Sequence, residues 1–318
     1  DGDFPTVEYP NPEEVNAMNM ALELGKKVKA DLVMGTDPDS DRLGVAVPEG
    51  DEYVIISGNR LGALIEDYML SSLKETGKLP AKPAFVKTIV TTELQRSIAE
   101  EYGALCVDVL TGFKYIGDKI REFESQPDGP VFVVGGEESY GYLVHTDVRD
   151  KDAVSAATMS AEMALYHVSQ GRSLMDQLRM LWKRHGYYEE MLMSNYFKGQ
   201  EGGEIMSRMM EDLRSNPPNQ FAGQDVVKVK DYKASTTTDT KSGKAEKDID
   251  LPSANVLQFI LADETIVTAR PSGTEPKIKF YASCHTAPGM DLEKAKKITS
   301  EKIKHIRSEL EKLVAAAK

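Results

Sequence analysis

Thr36-Asp37-Pro38-Asp39-Ser40-Asp41-Arg42 is the stretch from which the rest of the chain can be read. It lies between two apolar runs, Leu32-Val33-Met34 and Leu43 to Val47, which read as buried strands. The three aspartates therefore sit on a tight strand-to-strand connection, on alternate residues, with Pro38 stiffening the turn between the first two. Two carboxylates about 4 Å apart repel by roughly 4 kcal/mol at the dielectric near a protein surface. Three that converge would need a cation. All the donors are oxygens, which points to a hard ion, and Mg²⁺ suits a few carboxylates plus a phosphate oxygen. The plainer alternative is a solvated acidic turn.

Two sharper alternatives fail on spacing. An EF-hand starting at Asp37 would place Gly and Glu where Arg42 and Pro48 stand. A haloacid-dehalogenase-type start would want Thr or Val at the position of Asp41. At 318 residues the chain has room for two or three domains, and 41% apolar residues is a globular composition. The net charge of −12 argues against nucleic acid and anionic membrane as general partners, so an anionic ligand must find a local positive pocket. Cys106 and Cys284 are isolated, which argues for a reducing compartment and against a disulfide framework. With no apolar run of membrane-span length and no signal peptide, a cytoplasmic location is expected. The opening residues, Asp1-Gly2-Asp3-Phe4-Pro5, suggest a chain that begins inside a larger protein.

Asn11-Pro12-Glu13-Glu14 reads as a helix start, with Val15, Met18 and Leu22 as the apolar face to about Gly25. That helix, the strand, the aspartate loop and the next strand fill residues 1–56, too few for an independent core. Over 57–198 the pattern alternates. A helix with Leu61, Leu64, Ile65, Tyr68 and Leu73 inward is followed by strands at 85–90, 105–109 and 131–134. Helices are expected at 92–102 and 113–123, and two more over 153–185. Such alternation implies a layered sheet with ligand-binding loops at strand ends. Residues 199–219 hold a Met-rich helix (Ile205, Met206, Met209, Met210, Leu213) between Gly and Pro-Pro punctuation, read as an interdomain connection. Over 220–318 strands come first (225–229, 256–261, 265–269, 278–282), with a polar hairpin at 234–248 and a final helix at 291–316. The fold class is α/β, with layered α/β/α domains followed by a small α+β C-terminal domain.

Three further loops carry chemistry. In Arg270-Pro271-Ser272-Gly273-Thr274-Glu275-Pro276-Lys277, two hydroxyls, backbone N–H groups around Gly273 and cations at Arg270 and Lys277 make an anion nest or an ordinary Ser-Gly hairpin. It is not a Walker A loop. Gly135-Gly136-Glu137-Glu138-Ser139-Tyr140-Gly141 follows a strand and offers Glu137 and Ser139 to sugar hydroxyls. Thr111-Gly112-Phe113-Lys114 ends another strand, where a helix N-terminus favours an anion, and Lys114 points either at a substrate or into water. Arg149-Asp150-Lys151-Asp152 is either a solvated salt-bridged loop or a second polar wall of the cleft. The five histidines show no metal or triad spacing.

Taken in order, these four loops resemble those of the α-D-phosphohexomutase superfamily, and the resemblance runs over nearly all of the chain. The aspartate loop is similar to its Mg²⁺ loop, Gly136 to Gly141 to its sugar-recognition loop, and Arg270 to Pro276 to its phosphate-binding loop. Thr111 to Lys114 resembles a segment whose Lys faces the substrate. Asp3-Phe4-Pro5-Thr6-Val7, Asn11 to Glu14, Gly35-Thr36-Asp37 and Leu251-Pro252 look like the phosphoglucomutase/phosphopentomutase branch rather than the phosphomannomutase branch. Two departures stand out: no Ser-His-Asn occurs, although these enzymes carry a catalytic phosphoserine in such a loop, and Ala153 stands where relatives often have Gly. The resemblance implies the end of domain 2 (1–56), domain 3 (57–198), a linker helix (199–219) and domain 4 (220–318).

It also implies reversible transfer between hexose 1- and 6-phosphates, glucose phosphates first, through a bisphosphate and a phosphoserine outside this chain. Asp37, Asp39 and Asp41 would hold Mg²⁺, with Arg42 beside the phosphoserine. Lys114 would serve proton transfer or charge stabilisation. Thr111, Gly112, Glu137 and Ser139 would meet the sugar, while Arg270, Ser272, Gly273, Thr274 and Lys277 would hold the distal phosphate. The chain alone would be inactive. A pentose or mannose phosphate, a bisphosphate synthase activity, and a purely binding fragment stay open as alternatives.

Overall fold

The computed structural model describes residues 2–197, 199–272 and 277–317. They form two compact units, Asp1–Leu181 and Trp182–Lys318.

The first unit opens with α1 (Val15–Val28), β1 (Val33–Thr36), β2 (Leu43–Glu49) and β3 (Glu52–Ile56), whose strands make an antiparallel sheet in that order. Thr36 faces Leu43 across the aspartate loop, as a tight connection requires. The helix starts later than expected. The side chain of Asn11 accepts from the backbone N–H of Glu13 (3.0 Å), so it closes a turn ahead of the helix, and Glu14 takes the extended cap position. The inward face is also displaced: Met18 and Gly25 are buried with Ala21 and Leu22 beside them, whereas Val15 is 61% exposed.

There follow α2 (Gly58–Glu75), β4 (Pro83–Thr88), α3 (Leu94–Glu101), β5 (Leu105–Val109), α4 (Phe113–Glu124), β6 (Val131–Glu137), β7 (Gly141–Leu143), α5 (Ala153–Ser169) and α6 (Leu174–His185), within which the division between the units falls. The sheet order is β5-β4-β6-β7, with β4 parallel to both β5 and β6 and β7 antiparallel at the edge. All six residues of β4 are buried, as in the centre of a parallel sheet covered on both faces. Phe113, Ile116, Ile120 and Phe123 of α4 pack on Ala84, Val86, Val109, Phe132 and Leu143. The strand expected at 131–134 runs on to Glu137, because Gly135, Gly136 and Glu137 pair with β7.

The second unit contains β8 (Tyr188–Tyr196), α7 (Gly199–Ser215), β9 (Gln220–Phe221), β10 (Gln224–Asp231), β11 (Thr236–Asp239) and β12 (Ala245–Glu246). It ends with β13 (Leu257–Leu261), β14 (Ile266–Pro271), β15 (Lys277–His285) and α8 (Leu292–Ala317). The sheet is antiparallel, in the order β12-β11-β10-β13-β14-β15-β8, with β9 pairing β10. Two boundaries read from the sequence change here. β8 pairs along its whole length with β15, from Tyr188↔His285 to Tyr196↔Lys277, so it belongs to the C-terminal sheet and not to a domain ending at 198. Nor is 199–219 a connection: Met209, Met210 and Leu213 are buried in one core with Ile303, Ile306, Leu310 and Val314 of α8. An apolar stripe at helical spacing is a burial face, and here it outweighs the Gly and Pro-Pro at its ends. Among the described residues no helix is long and apolar enough to cross a membrane.

Candidate functional site

The β1–β2 loop brings carboxylate oxygens of Asp37, Asp39 and Asp41 within 4.8 Å of one another. Asp37 organises the loop: its Oδ1 accepts from the backbone N–H of Asp41 (3.0 Å) and of Arg42 (2.9 Å), while Ser40 takes the left-handed conformation at φ 58°. Burial raises the pKa of Asp37, as do the charges of Asp41 and Asp39, against the two backbone donors that lower it. Such a crowded set of hard oxygen donors fits a divalent cation of the Mg²⁺ type. Arg42 lies against the trio, with Nε 3.7 Å from Asp37 Oδ2 and 3.8 Å from Asp41 Oδ1, and Nη1 2.9 Å from Glu13 Oε1.

The aspartate loop and the Gly-rich loop form one structure. Arg42 bridges to Gly141, and the Leu43 N–H donates to the Tyr140 carbonyl at 3.0 Å. From the other side the Ala153 N–H donates to the Ser40 carbonyl at 3.0 Å. This docks the start of α5, where Asp152 accepts from the Val154 N–H, beside the aspartates. Lys151 follows from that docking. Its Nζ is 2.8 Å from Asp41 Oδ2 and 3.3 Å from Asp150 Oδ1. Burial works against the ammonium, but the bonds to Asp41 and Asp150 outweigh it and raise its pKa. Gly141 is what lets the stem pass, since a Cβ there would run into the Lys151 side chain.

Glu137, at the end of β6, is 9% exposed, and its Oε1 accepts from the Gly112 N–H at 2.7 Å. Gly112 holds φ 119°, a conformation that only glycine adopts readily. Burial and the neighbouring Glu138 push the Glu137 pKa up, against the Gly112 N–H and the charges of Lys151 and Arg42. Gly112 is thus tied to the Gly-rich loop, and Ser139 sits half-buried in its turn. Lys114 stands apart: exposed in the first turn of α4, it lies 4.9 Å over the Tyr115 ring. It lines a surface cleft of about 410 Å³ with Gly117, Asp118, Arg121, Glu124 and Arg149. Its described contacts are there and not with the aspartates.

In the second unit the β14–β15 pairing ends with Arg270↔Lys279 and Pro271↔Ile278, and beyond it the Ser272 N–H donates to the Lys277 carbonyl at 2.7 Å. Arg270 Nη1 donates to Tyr281 Oη (3.3 Å), and Lys277 Nζ to Tyr196 Oη (3.3 Å), 5.0 Å over that ring. Gly273 and Thr274 lie outside the described residues. The aspartates, Arg42, Glu137, Ser139 and Gly112 share the first unit, and Arg270, Ser272 and Lys277 share one hairpin. Three members of the first cluster escaped the sequence reading: Lys151, left ambiguous among alternating charges, Glu13, and Glu138. Only the Lys-Asp pair at the head of an apolar helix hinted at Lys151.

Comparison with known proteins places the chain in a family. The family profile described as phosphoglucomutase/phosphomannomutase, alpha/beta/alpha domain II, matches residues 1–50, and that of domain III of the same family matches residues 57–185. Phosphoglucomutase of Staphylococcus epidermidis is 38% identical over 285 residues, and that of Staphylococcus aureus 36% over 288; each match covers 89% of this chain. The chain spans about half the length of these relatives, 50% in both cases. Among solved structures, the Paramecium phosphoprotein pp63/parafusin, a phosphoglucomutase, aligns at a TM-score of 0.62 and 15% identity, over 97% of this chain and 50% of its own. A phosphoglucomutase/phosphomannomutase family protein from Burkholderia thailandensis aligns at 0.60 and 17%, over 100% of this chain and 53% of its own. These two likenesses concern the fold. The chain belongs to the phosphoglucomutase/phosphomannomutase family.

Proposed function

We propose that these 318 residues are part of a phosphoglucomutase-like enzyme that interconverts hexose 1-phosphate and 6-phosphate through a bisphosphate. Its phosphoryl-carrying serine would lie in a part of the enzyme outside this chain. The observation that carries the reading is the aspartate trio, within 4.8 Å and bonded through Leu43 and Tyr140 to the turn that presents Glu137 and Ser139. Asp37, Asp39 and Asp41 would hold Mg²⁺, which when bound neutralises charge on phosphoryl oxygens. Arg42 adds a guanidinium to the same negative charge, where charge-assisted hydrogen bonds are strongest. Lys151 brings a second cation to the rim of the trio, and its contact with Asp41 makes it better placed than Lys114 for charge stabilisation. The Glu137 carboxylate accepts from sugar hydroxyls, Ser139 supplies a hydroxyl that donates or accepts, and Thr111 and Gly112 fix the edge of that pocket. Arg270, Ser272, Gly273, Thr274 and Lys277 supply anion-binding groups for the phosphate that does not react.

The test compares the full-length protein with the 318-residue chain, each with Mg²⁺, glucose 1-phosphate and a trace of glucose 1,6-bisphosphate. Glucose 6-phosphate should form with the full-length protein only. The reading fails if the full-length protein converts no hexose, pentose or mannose phosphate under these conditions.

A further inference from the structure

We propose that Glu138 is a positioning residue, a clamp that fixes the turn presenting Glu137 and Ser139 and does not itself meet the ligand. The two adjacent glutamates have opposite surroundings. Glu137 lies against the Gly112 N–H, whereas Glu138 Oε2 accepts from Thr88 Oγ1 (3.1 Å) and Thr91 Oγ1 (3.4 Å). Both threonines are buried, at 0% and 4% exposure, and their hydroxyls lie 2.8 Å apart, so the half-buried Glu138 side chain ends on a pair of buried hydroxyls inside the unit. Hydrogen bonds to such buried hydroxyls are stronger than the same bonds made in water.

The partner segment is itself immobilised. Lys87, fully buried, reaches the carbonyls of Thr91 (3.3 Å) and Thr88 (3.5 Å), with its charge balanced by Glu93 (2.7 Å) and Asp108 (3.0 Å). The Thr92 N–H donates to Asn59 Oδ1 at 3.0 Å. The main chain of Glu138 is gripped as well, since its carbonyl packs so closely on Gly58 that a Cβ there would collide with it. Two residues on, Tyr140 holds φ 67°, a left-handed strain that persists only when the surroundings over-determine it. Side chain and backbone of Glu138 thus fix the turn from two directions. Contacts to a substrate lose much of their effect when displaced by an ångström, so a loosened turn would weaken binding without removing any ligand-binding group.

The kinetic arm of the test rests on the function proposed above; the structural arm does not. In the full-length protein, Glu138→Ala should raise the KM for the sugar phosphate by about tenfold or more. It should also speed amide exchange across residues 138–143 in the absence of ligand. Glu138→Gln keeps an oxygen that accepts from the threonines, and should restore both readings towards the parent protein. Thr88→Val, nearly isosteric, should reproduce the alanine effect in weaker form and serves if Glu138→Ala does not fold. The clamp is refuted if Glu138→Ala and Thr88→Val leave exchange in the turn unchanged. It is equally refuted if Glu138→Gln keeps normal exchange yet loses as much affinity as Glu138→Ala, because the charge itself would then meet the ligand. Should the parent protein turn over no sugar phosphate, the proposed function falls and the exchange data still decide the clamp.

Discussion

Lys151 Nζ stands 2.8 Å from Asp41 Oδ2, so one of the three carboxylates on the β1–β2 loop is paired with a cation of the protein itself. That pairing sets two demands against each other. It relieves repulsion within the trio, and it places a positive charge where a divalent ion would be held.

Lys151→Met removes the charge and keeps most of the stem that passes Gly141. A partly exposed pair of this kind is worth about 1 kcal/mol, which corresponds to roughly fivefold in affinity. Titration calorimetry with Mg²⁺ or Mn²⁺ should therefore show tighter binding by about that factor, while turnover by the full-length protein falls. Metal binding that is unchanged or weaker would show that Lys151 does not compete at Asp41.

Asp37 and Asp39 should separate on stability. Asp37 accepts two backbone hydrogen bonds, so Asp37→Ala strands two N–H groups and should cost about 1–3 kcal/mol without metal. Asp39 is exposed, and Asp39→Asn should leave metal-free stability near or slightly above the parent value because repulsion is relieved. Both should abolish the rise in melting temperature caused by Mg²⁺. Equal metal-free melting temperatures for the two variants would contradict the organising role of Asp37.

The strand, aspartate loop and strand were legible because burial and charge alternate there within a dozen residues, and the central strands because an unbroken apolar run has few other uses. What escaped depends on partners far along the chain. β8 is recognisable only against β15, and the Met stripe of α7 only against α8. The start of α1 was misplaced for a local reason, since Asn11 serves a turn as readily as a cap. Within the site, the residue types were evident and their directions were not. Nothing in Glu137-Glu138 tells which carboxylate turns towards Gly112 and which towards Thr88 and Thr91. Likewise Lys114 and Lys151 are both lysines in polar loops, and only the fold brings one of them to Asp41.

Two glycines give a matched test of packing. Gly58→Ala would drive a methyl into the Glu138 carbonyl, so the start of α2 or the Gly-rich loop must move. A backbone collision in a packed region typically costs about 1–3 kcal/mol. Gly203, inside α7, has nothing within 4 Å of an added Cβ, and Gly203→Ala should stabilise by up to about 1 kcal/mol through helix propensity. Denaturant melts of the two variants should move in opposite directions. A Gly58→Ala variant as stable as the parent would mean that the contact with Glu138 is not tight.

Glu66 supplies a pH dependence whose sign follows from its surroundings. It is fully buried in α2, and among the described residues neither carboxyl oxygen has a hydrogen-bond partner. Burial, then the charge of Asp67, hold its pKa well above the ordinary 4.5, with Lys87 acting the other way. Below pH 4.5 the group is neutral in the folded and unfolded chain alike, and it costs nothing. Above that, the unfolded chain releases the proton while the folded one keeps it, so stability declines by up to about 1.4 kcal/mol per pH unit until the raised pKa is passed. Glu66→Gln cannot ionise and keeps the shape. Its stability relative to the parent should therefore increase as pH rises, from near parity at pH 4.5 to a gain on the order of 1 kcal/mol or more at pH 8. Urea unfolding at several pH values between these limits measures the difference directly. A difference independent of pH would mean that Glu66 is ionised in the folded protein, stabilised there by Lys87 after all.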